Sequence, residues 1–286
     1  MSDRDVDTAQ HGSTKRTSSV SQVLRSVADE GKDIRHWIIH SADGETDFKI
    51  RVASNQADRK KAYALAYRVY RRMGYVNEDP TELCVSPYDA YAGTFTLLAE
   101  DPQGRECGTI TMVFDSRLGL PCNEIYREEV DGLRATGCSL VEFTRLAIDE
   151  NTQNARALLF HLFHLSYAFA RCGGGCTDML IEVNPRHVQY YKKLLRFEQV
   201  GPERPCPRVK GAPAVLLRMD FAKMESELEG FSHGRDRSGK RLHVYMFSAD
   251  EEREVTRFLA SQHCTMSFQE AKFFNIQSGP RAAVLA

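Results

Sequence analysis

Apolar positions between residues 48 and 220 follow two spacings, one typical of strands and one typical of helices. Short apolar, β-branched runs alternate with segments whose apolar residues recur every three or four positions. One such segment, residues 55–74, predicts a helix that Asn55 caps and Gly74 ends. The predicted order is β-α-β-β-α-β-α-β-α-β-β, with hairpins first and parallel crossovers afterwards. We therefore expect an α/β (α+β) domain, in which helices flank a mixed central sheet.

The hydrophobic pattern divides the chain into three parts. Residues 1–46 are polar and rich in Ser, Asp and Arg, which predicts a flexible N-terminal tail. Residues 47–220 form the main domain. The pattern weakens in residues 221–286, for which we expect a helical C-terminal extension packed on the domain. Within that extension, Ser248 and Glu251 form a capping box that predicts a helix start.

One predicted strand, residues 140–149 ("LVEFTRLAID"), carries an acid and a base in an otherwise apolar run. Glu142 and Arg145 are three positions apart, so a regular strand would turn their side chains to opposite faces. At least one of the two charges would then be buried in the core.

Charge and composition exclude several classes of protein. The 286-residue chain has a formal net charge of −1, which argues against a nucleic-acid binder that works by bulk positive charge. No apolar run is long enough to cross a bilayer, and the N-terminus lacks the apolar core of a signal peptide, so we expect a cytoplasmic protein. Cys172 with Cys176, and His161 with His164, lack further ligands at suitable spacing, so we expect no metal site.

The order of elements and several local motifs resemble those of GNAT acyltransferases. The segments 67–76 ("YRVYRRMGYV") and 142–148 ("EFTRLAI") are similar to motifs of acyl-homoserine-lactone synthases. The whole run from 48 to 220, including "VNPRHVQYY" and "GAPAVLLRMD", looks most like the long-chain N-acyl amino acid synthases, a GNAT branch. The resemblance implies a bacterial enzyme that moves a fatty acyl group from acyl carrier protein to the α-amine of a free amino acid.

The same resemblance implies no permanently bound cofactor, because the donor is the phosphopantetheine thioester of the carrier protein or of acyl-coenzyme A. It also allows peripheral contact with the lipid product. The loop "DENTQNAR" lacks the glycines with which GNAT enzymes cradle a pyrophosphate, which favours the carrier protein. Two enzyme alternatives remain, a homoserine-lactone-type signal synthase and an acetyl-coenzyme A-dependent acetyltransferase. A third alternative is a non-catalytic module that binds an acyl group or carrier.

The resemblance also implies a β-bulge in the strand of Glu142 and Arg145, which we place between them. A bulge shifts the alternation by one residue, turns both side chains to one cleft and frees a backbone N–H for the thioester oxygen. Glu142 is then the candidate general base, acting directly or through a water. Arg145 holds the acceptor's carboxylate or orients Glu142; the alternative is a buried structural ion pair. Tyr191, or Tyr190, is the candidate acid for the leaving thiolate, with aromatic packing as the alternative.

Further candidate binding residues come from the helix after the first strand and from the end of a later strand. Arg68 binds a carboxylate or pairs with Asp89, or is a solvated helix arginine. Asn184 and His187 end a strand where a splay would admit pantetheine, although His187 also fits a surface histidine. Basic clusters suit docking of an acidic carrier protein, with solvated helix faces as the alternative; the candidate docking residues are Lys60, Lys61, Arg71, Arg72, Lys192 and Lys193.

Overall fold

The computed structural model describes residues 27–29, 32–40, 47–232, 253 and 265–276. Within these ranges ten strands form one mixed sheet: β1 Val27–Asp29, β2 Lys32–His40, β3 Asp47–Val52, β4 Thr94–Glu100, β5 Glu106–Phe114, β6 Leu140–Ile148, β7 Asp178–Val183, β8 Glu198–Gln199, β9 Arg204–Cys206 and β10 Ala212–Asp220. The same ranges contain six α-helices: α1 Gln56–Arg72, α2 Asn123–Ala135, α3 Ala155–Ala168, α4 Val188–Leu195, α5 Phe221–Ser232 and α6 Phe268–Phe273.

The strands lie in the order β1-β2-β3-β4-β5-β6-β7-β10-β8, and β9 pairs separately with β10. β6 and β7 are parallel, joined by α3, and the other neighbours are antiparallel. This is the mixed sheet expected from the hairpins-then-crossovers order. From β3 to β10 the predicted sequence of elements is confirmed, with β9 as an additional short strand.

Helices cover both faces of the sheet. α3 and α4 pack on one face, where Leu158, Leu162 and Phe163 join the largest apolar cluster. α1 and α2 cover the other face, where Tyr126 of α2 contacts the apolar side chains of β6, β7 and β10. Because β6 lies between two layers, every polar side chain on it is brought into the interior.

The two ends of the chain differ from the expectations in part. β1 and β2 lie inside the segment 1–46 that we expected to be a flexible tail, and they extend the sheet beside β3. At the other end, residues 265–276 pack against α1, where Arg59 Nη1 lies 2.5 Å from Glu270 Oε1. Of the helix predicted after Ser248, the structure describes Arg253 alone, and that residue is helical. No helix in the described part of the chain is long and apolar enough to span a membrane.

Candidate active site

A β-bulge interrupts the pairing of β6 with β5. Thr144 is opposite Thr111 and Ala147 is opposite Thr109, so Arg145 and Leu146 together face the single residue between those two threonines. Arg145 has a φ of 49°, the left-handed region that non-glycine residues seldom adopt. The bulge therefore exists, but its extra residue is at Arg145 itself and not between Glu142 and Arg145.

The bulge brings Glu142 and Arg145 to the same face of the sheet. Arg145 donates to Asp89, which lies in a short 3₁₀ helix, Pro87–Ala90, and to the carbonyl of Cys84, which lies just before that helix. Burial, and then the charge of Glu142, raise the pKa of Tyr88 in that same 3₁₀ helix. One connection between α1 and β4 thus covers both side chains.

β6 and β7 separate at the bulge. Their parallel pairing begins at Leu140 and Asp178 and ends at Phe143 and Ile181, although β6 continues to Ile148. Beyond that point Thr144 and Leu146 are half-buried, whereas the neighbours on β6 are buried. We call the space between the separated strand ends the β6–β7 cleft; its position matches the splay expected near the end of β7.

Arg145 forms a buried ion pair with Asp89. Its guanidinium holds both oxygens of Asp89, with 2.7 Å from Nη1 to Oδ2, and donates to Thr111 Oγ1 at 3.1 Å. It also stacks over the ring of Tyr63 at 5.1 Å. The Asp89 side chain is fully buried and that of Arg145 is 8% exposed. Arg145 is therefore in a buried structural ion pair, but its partner is Asp89 and not Glu142.

Glu142 is a buried acid with one unused oxygen. Its Oε2 accepts a hydrogen bond of 2.7 Å from the backbone N–H of Cys122, just before α2. Its Oε1 is buried and receives no hydrogen bond from any described group. Burial and then the negative charge of Glu182 raise the pKa of Glu142 to about 8. A carboxyl whose pKa lies near neutrality is suited to general acid–base catalysis.

The acid beside Glu142 was missed in the sequence. Glu182 lies near the end of β7, and its Oε1 is also buried without a hydrogen-bond donor among the described groups. Burial raises the pKa of Glu182, whereas Arg208 opposes the increase. Arg208 pairs with Glu182 and with Glu124 of α2. The signal that singled out Glu142, an acid inside an apolar strand, also exists in "DMLIEV" of β7.

Tyr191 lies in an aromatic cluster on the α3 side of the sheet. Its ring contacts Phe163 and Phe197 with centroid distances of 5.9 and 5.8 Å, and that of Tyr190 at 5.7 Å. Burial raises the pKa of Tyr191 to about 12. Burial, then Cys84, and to a smaller extent Tyr191 raise the pKa of Tyr70 of α1.

The remaining candidate binding residues are more peripheral. Arg68 is exposed, and Asp89 pairs with Arg145 instead, so an Arg68–Asp89 pair is wrong. Asn184 Oδ1 accepts from the backbone N–H of Arg186 and so caps the turn after β7. His187 is exposed and accepts from Arg186 Nε at 3.0 Å.

The candidate docking residues occupy two separate places. Lys60 and Lys61 lie near the start of α1, where Lys61 pairs with Glu100 and Glu106. Arg71 and Arg72 end α1 and pair with Glu78 and Glu150. Lys192 and Lys193 are exposed on α4. A hydrogen bond of 3.0 Å from Arg186 to the Tyr75 hydroxyl links the end of α1 to the turn before α4.

Metal ligands are not clustered in the described residues, where no group of three or more His, Cys, Asp or Glu side chains is placed to hold an ion. His161 and His164 are buried on α3, and burial lowers the pKa of both.

Comparisons with known proteins agree on the fold. A family model described as N-acyl amino acid synthase FeeM matches residues 61–220. The structure of FeeM, an N-acyl amino acid synthase from uncultured soil microbes, is 23% identical, covers 63% of this chain and 94% of that chain, and has a TM-score of 0.55. The search of curated proteins gave no match.

Two further structures are less similar. The acyl-homoserine-lactone synthase LasI is 16% identical over 62% of this chain and 91% of its own, with a TM-score of 0.48. A GNAT acetyltransferase from Streptococcus pneumoniae is 17% identical over 60% and 99%, with a TM-score of 0.41. Of these three structures, FeeM alone has a TM-score above 0.5, and it supports a GNAT-like fold.

Proposed function

This chain belongs to the FeeM family of N-acyl amino acid synthases and is an acyltransferase, and we propose that it moves a long-chain fatty acyl group from acyl carrier protein to the α-amine of an amino acid. The observation that carries this proposal is the β6–β7 cleft, bordered by a bulged strand and by a buried carboxyl whose Oε1 is unused.

The cleft supplies what aminolysis of a thioester requires. The amine must lose a proton, the developing oxyanion needs a donor, and the leaving thiolate needs a proton. The carboxyl pair of Glu142 and Glu182 is the proposed general base. The backbone at the bulge of Arg145 is the proposed oxyanion donor, since a bulge leaves a backbone group outside the ladder. Tyr191 is the proposed acid for the thiolate.

Charge near the cleft favours a carrier protein over coenzyme A as the donor. In the loop between β6 and α3, Asp149 and Glu150 stand where a pyrophosphate-binding loop would have glycines. Asp149 accepts from Asn151 and Glu150 pairs with Arg72, so both acids are held in place. Fixed carboxylates repel the phosphates of coenzyme A, whereas a carrier protein inserts only its pantetheine arm.

The proposed carrier dock lies between the end of α1 and α4. Arg71 and Arg72 border it on one side, and Lys192 and Lys193 on the other. The Arg186–Tyr75 hydrogen bond shows that these two elements are neighbours. Lys60 and Lys61 lie about 15 Å away along α1, given a rise of about 1.5 Å per residue, so we leave them out of this dock.

The experiment that tests the function compares two donors bearing the same fatty acyl chain, one on acyl carrier protein and one on coenzyme A. Each is mixed with the enzyme and the twenty amino acids, and products are identified by mass spectrometry. We expect a fatty amide of one or a few amino acids, formed faster from the carrier protein. Parallel mixtures contain S-adenosyl-methionine as the acceptor or acetyl-coenzyme A as the donor. A lactone from the first, or an acetylated product from the second, without a fatty amide from either fatty acyl donor, would contradict the proposal.

A further inference from the structure

Two carboxyl groups meet beneath Arg208 on the α2 side of the sheet. Glu142 on β6 and Glu182 on β7 come from neighbouring parallel strands, and each has its Oε2 occupied, by the Cys122 N–H and by Arg208 respectively. Each also has a buried Oε1 that no described group supplies with a hydrogen. The two unused oxygens therefore have only each other, or a ligand, as partners.

Burial and then the negative charge of Glu182 raise the pKa of Glu142, and the two side chains lie within hydrogen-bonding reach of each other. The pair therefore favours a state in which it holds one proton. The position of Arg208 decides which carboxyl keeps the charge. Arg208 is bonded directly to Glu182, whereas Glu142 is 1% exposed and accepts from the uncharged backbone and side chain of Cys122. The negative charge consequently lies on Glu182, and Glu142 carries the proton and donates it toward its neighbour.

The other groups around this pair do not neutralise the negative charge on Glu182. Arg208 is shared with Glu124 and with the carbonyl of Pro121, so its positive charge is divided among several partners. The other titratable groups near the pair are neutral at pH 7, because burial raises their pKa values; they are Tyr88, Cys122, Tyr126 and Cys206.

We propose that Glu182 is the proton acceptor of this acyltransferase, and that the ammonium group of the acceptor amino acid binds against the unused Oε1 atoms of Glu142 and Glu182. This inference rests on the proposed function and names the base of its site. A singly protonated carboxyl pair carries one negative charge, which matches one ammonium group. Glu142 is then the residue that orients Glu182, and both touch the acceptor.

The protons balance in this scheme. The ammonium gives one proton to Glu182, which leaves the pair neutral and the amine free. The amine nitrogen forms a bond to the thioester carbonyl carbon, and the carbon–sulfur bond breaks. The second proton leaves the nitrogen and ends on the pantetheine sulfur as a thiol. The proton on Glu182 passes to water after the product has left the site.

The test compares Glu182→Gln and Glu142→Gln, which conserve shape and leave an acceptor oxygen for the bonds to Arg208 and Cys122. Turnover is measured as amide formation from fatty acyl carrier protein and a mixture of the twenty amino acids. We expect Glu182→Gln to lose at least about 100-fold, the usual contribution of a general base. Glu142→Gln should lose less, because its amide N–H still donates to Glu182 as the protonated acid does.

Glu124→Gln is the matched control, since it also changes an acid bonded to Arg208 but has no buried unused oxygen. It should turn over at close to the parent rate. The pH profile separates chemistry from packing: the acid limb of residual kcat/KM in Glu182→Gln should move to lower pH, because Glu142 has lost its negative neighbour.

Parent-like turnover in Glu182→Gln, or a greater loss in Glu142→Gln than in Glu182→Gln, would overturn the assignment. A wild-type enzyme that forms no amide with any of the twenty amino acids would instead refute the proposed function itself.

Discussion

Breaking the ion pair between Arg145 and Asp89 should destabilise the protein strongly. Both side chains are almost inaccessible, and the guanidinium bonds to both carboxylate oxygens. In Asp89→Asn the carboxylate disappears and the buried guanidinium keeps its charge without a counterion. Removing one partner of a buried pair costs about 3–5 kcal/mol of unfolding free energy. At about 2–4 °C per kcal/mol for a domain of this size, Tm should fall by roughly 6–20 °C.

The protein offers a second Arg–Asp pair that is less buried and whose arginine also bonds a further acid, Asp131. Arg134 also bonds both oxygens of Asp115, at 2.7 Å each, but their side chains are 28% and 18% exposed. Asp115→Asn should therefore cost only about 1 kcal/mol or less, because water partly solvates the remaining charge. Urea unfolding and thermal melts of both variants, at the same pH and salt concentration, measure the difference.

A double-mutant cycle isolates the interaction. Arg145→Met alone leaves Asp89 buried without its partner, so it too should be costly, whereas Arg145→Met with Asp89→Asn leaves no buried charge. The double variant should be more stable than the sum of the two single costs predicts, by several kcal/mol. The reasoning fails if Asp89→Asn is no worse than Asp115→Asn, or if the single costs simply add.

Three further predictions concern the cleft. Because the pKa of Glu142 is raised from 4.5 in the unfolded chain to about 8 in the folded protein, the free energy of unfolding is greatest below pH 4.5 and falls as the pH rises through about 8, by at most roughly 5 kcal/mol. Glu142→Gln should remove most of this fall, as measured by urea unfolding across pH 5–9. An unchanged dependence of unfolding free energy on pH would contradict the prediction. Tyr191→Phe keeps the ring against Phe197, so Tm should stay within about 1–2 °C while acyl transfer falls about 10-fold or more; an unchanged rate would remove Tyr191 as the acid. Lys192→Glu with Lys193→Glu should weaken carrier-protein binding and make it less sensitive to salt, as measured by titration at two ionic strengths; equal affinity and salt dependence would exclude this dock.

The sequence predicted the main domain well because each element from β3 to β10, except the three-residue β9, contains its own periodic signal. β1 and β2 were missed for a physical reason. They lie at the edge of the sheet, where β2 pairs with β3, as in the match of Trp37 with Ile50, and β1 pairs with β2. Both strands thus take much of their order from their neighbours in the sheet. Average polarity over residues 1–46 hid that local pattern.

The candidate site was predictable residue by residue but not pair by pair. An acid or a base inside an apolar strand is visible in the sequence, and this drew attention to Glu142 and Arg145. Their partners are remote: Asp89 is 56 positions from Arg145, and Arg208 is 26 positions from Glu182. Which charge meets which depends on the tertiary fold, so the assignment of Asp89 to Arg68 was wrong and the carboxyl pair was missed.

The left-handed backbone at position 145 ties the shape of a strand to a distant part of the chain. Glycine would adopt that conformation without strain, whereas arginine does so at a cost of about 1–2 kcal/mol. The ion pair between Asp89 and the guanidinium offsets that cost, so a residue outside the sheet stabilises the bulge in β6. Without that ion pair, a straight strand becomes the more favourable arrangement, and the gap that the proposed function assigns to the donor would narrow. The connection between α1 and β4 thus influences the width of a gap between two strands to which it does not belong.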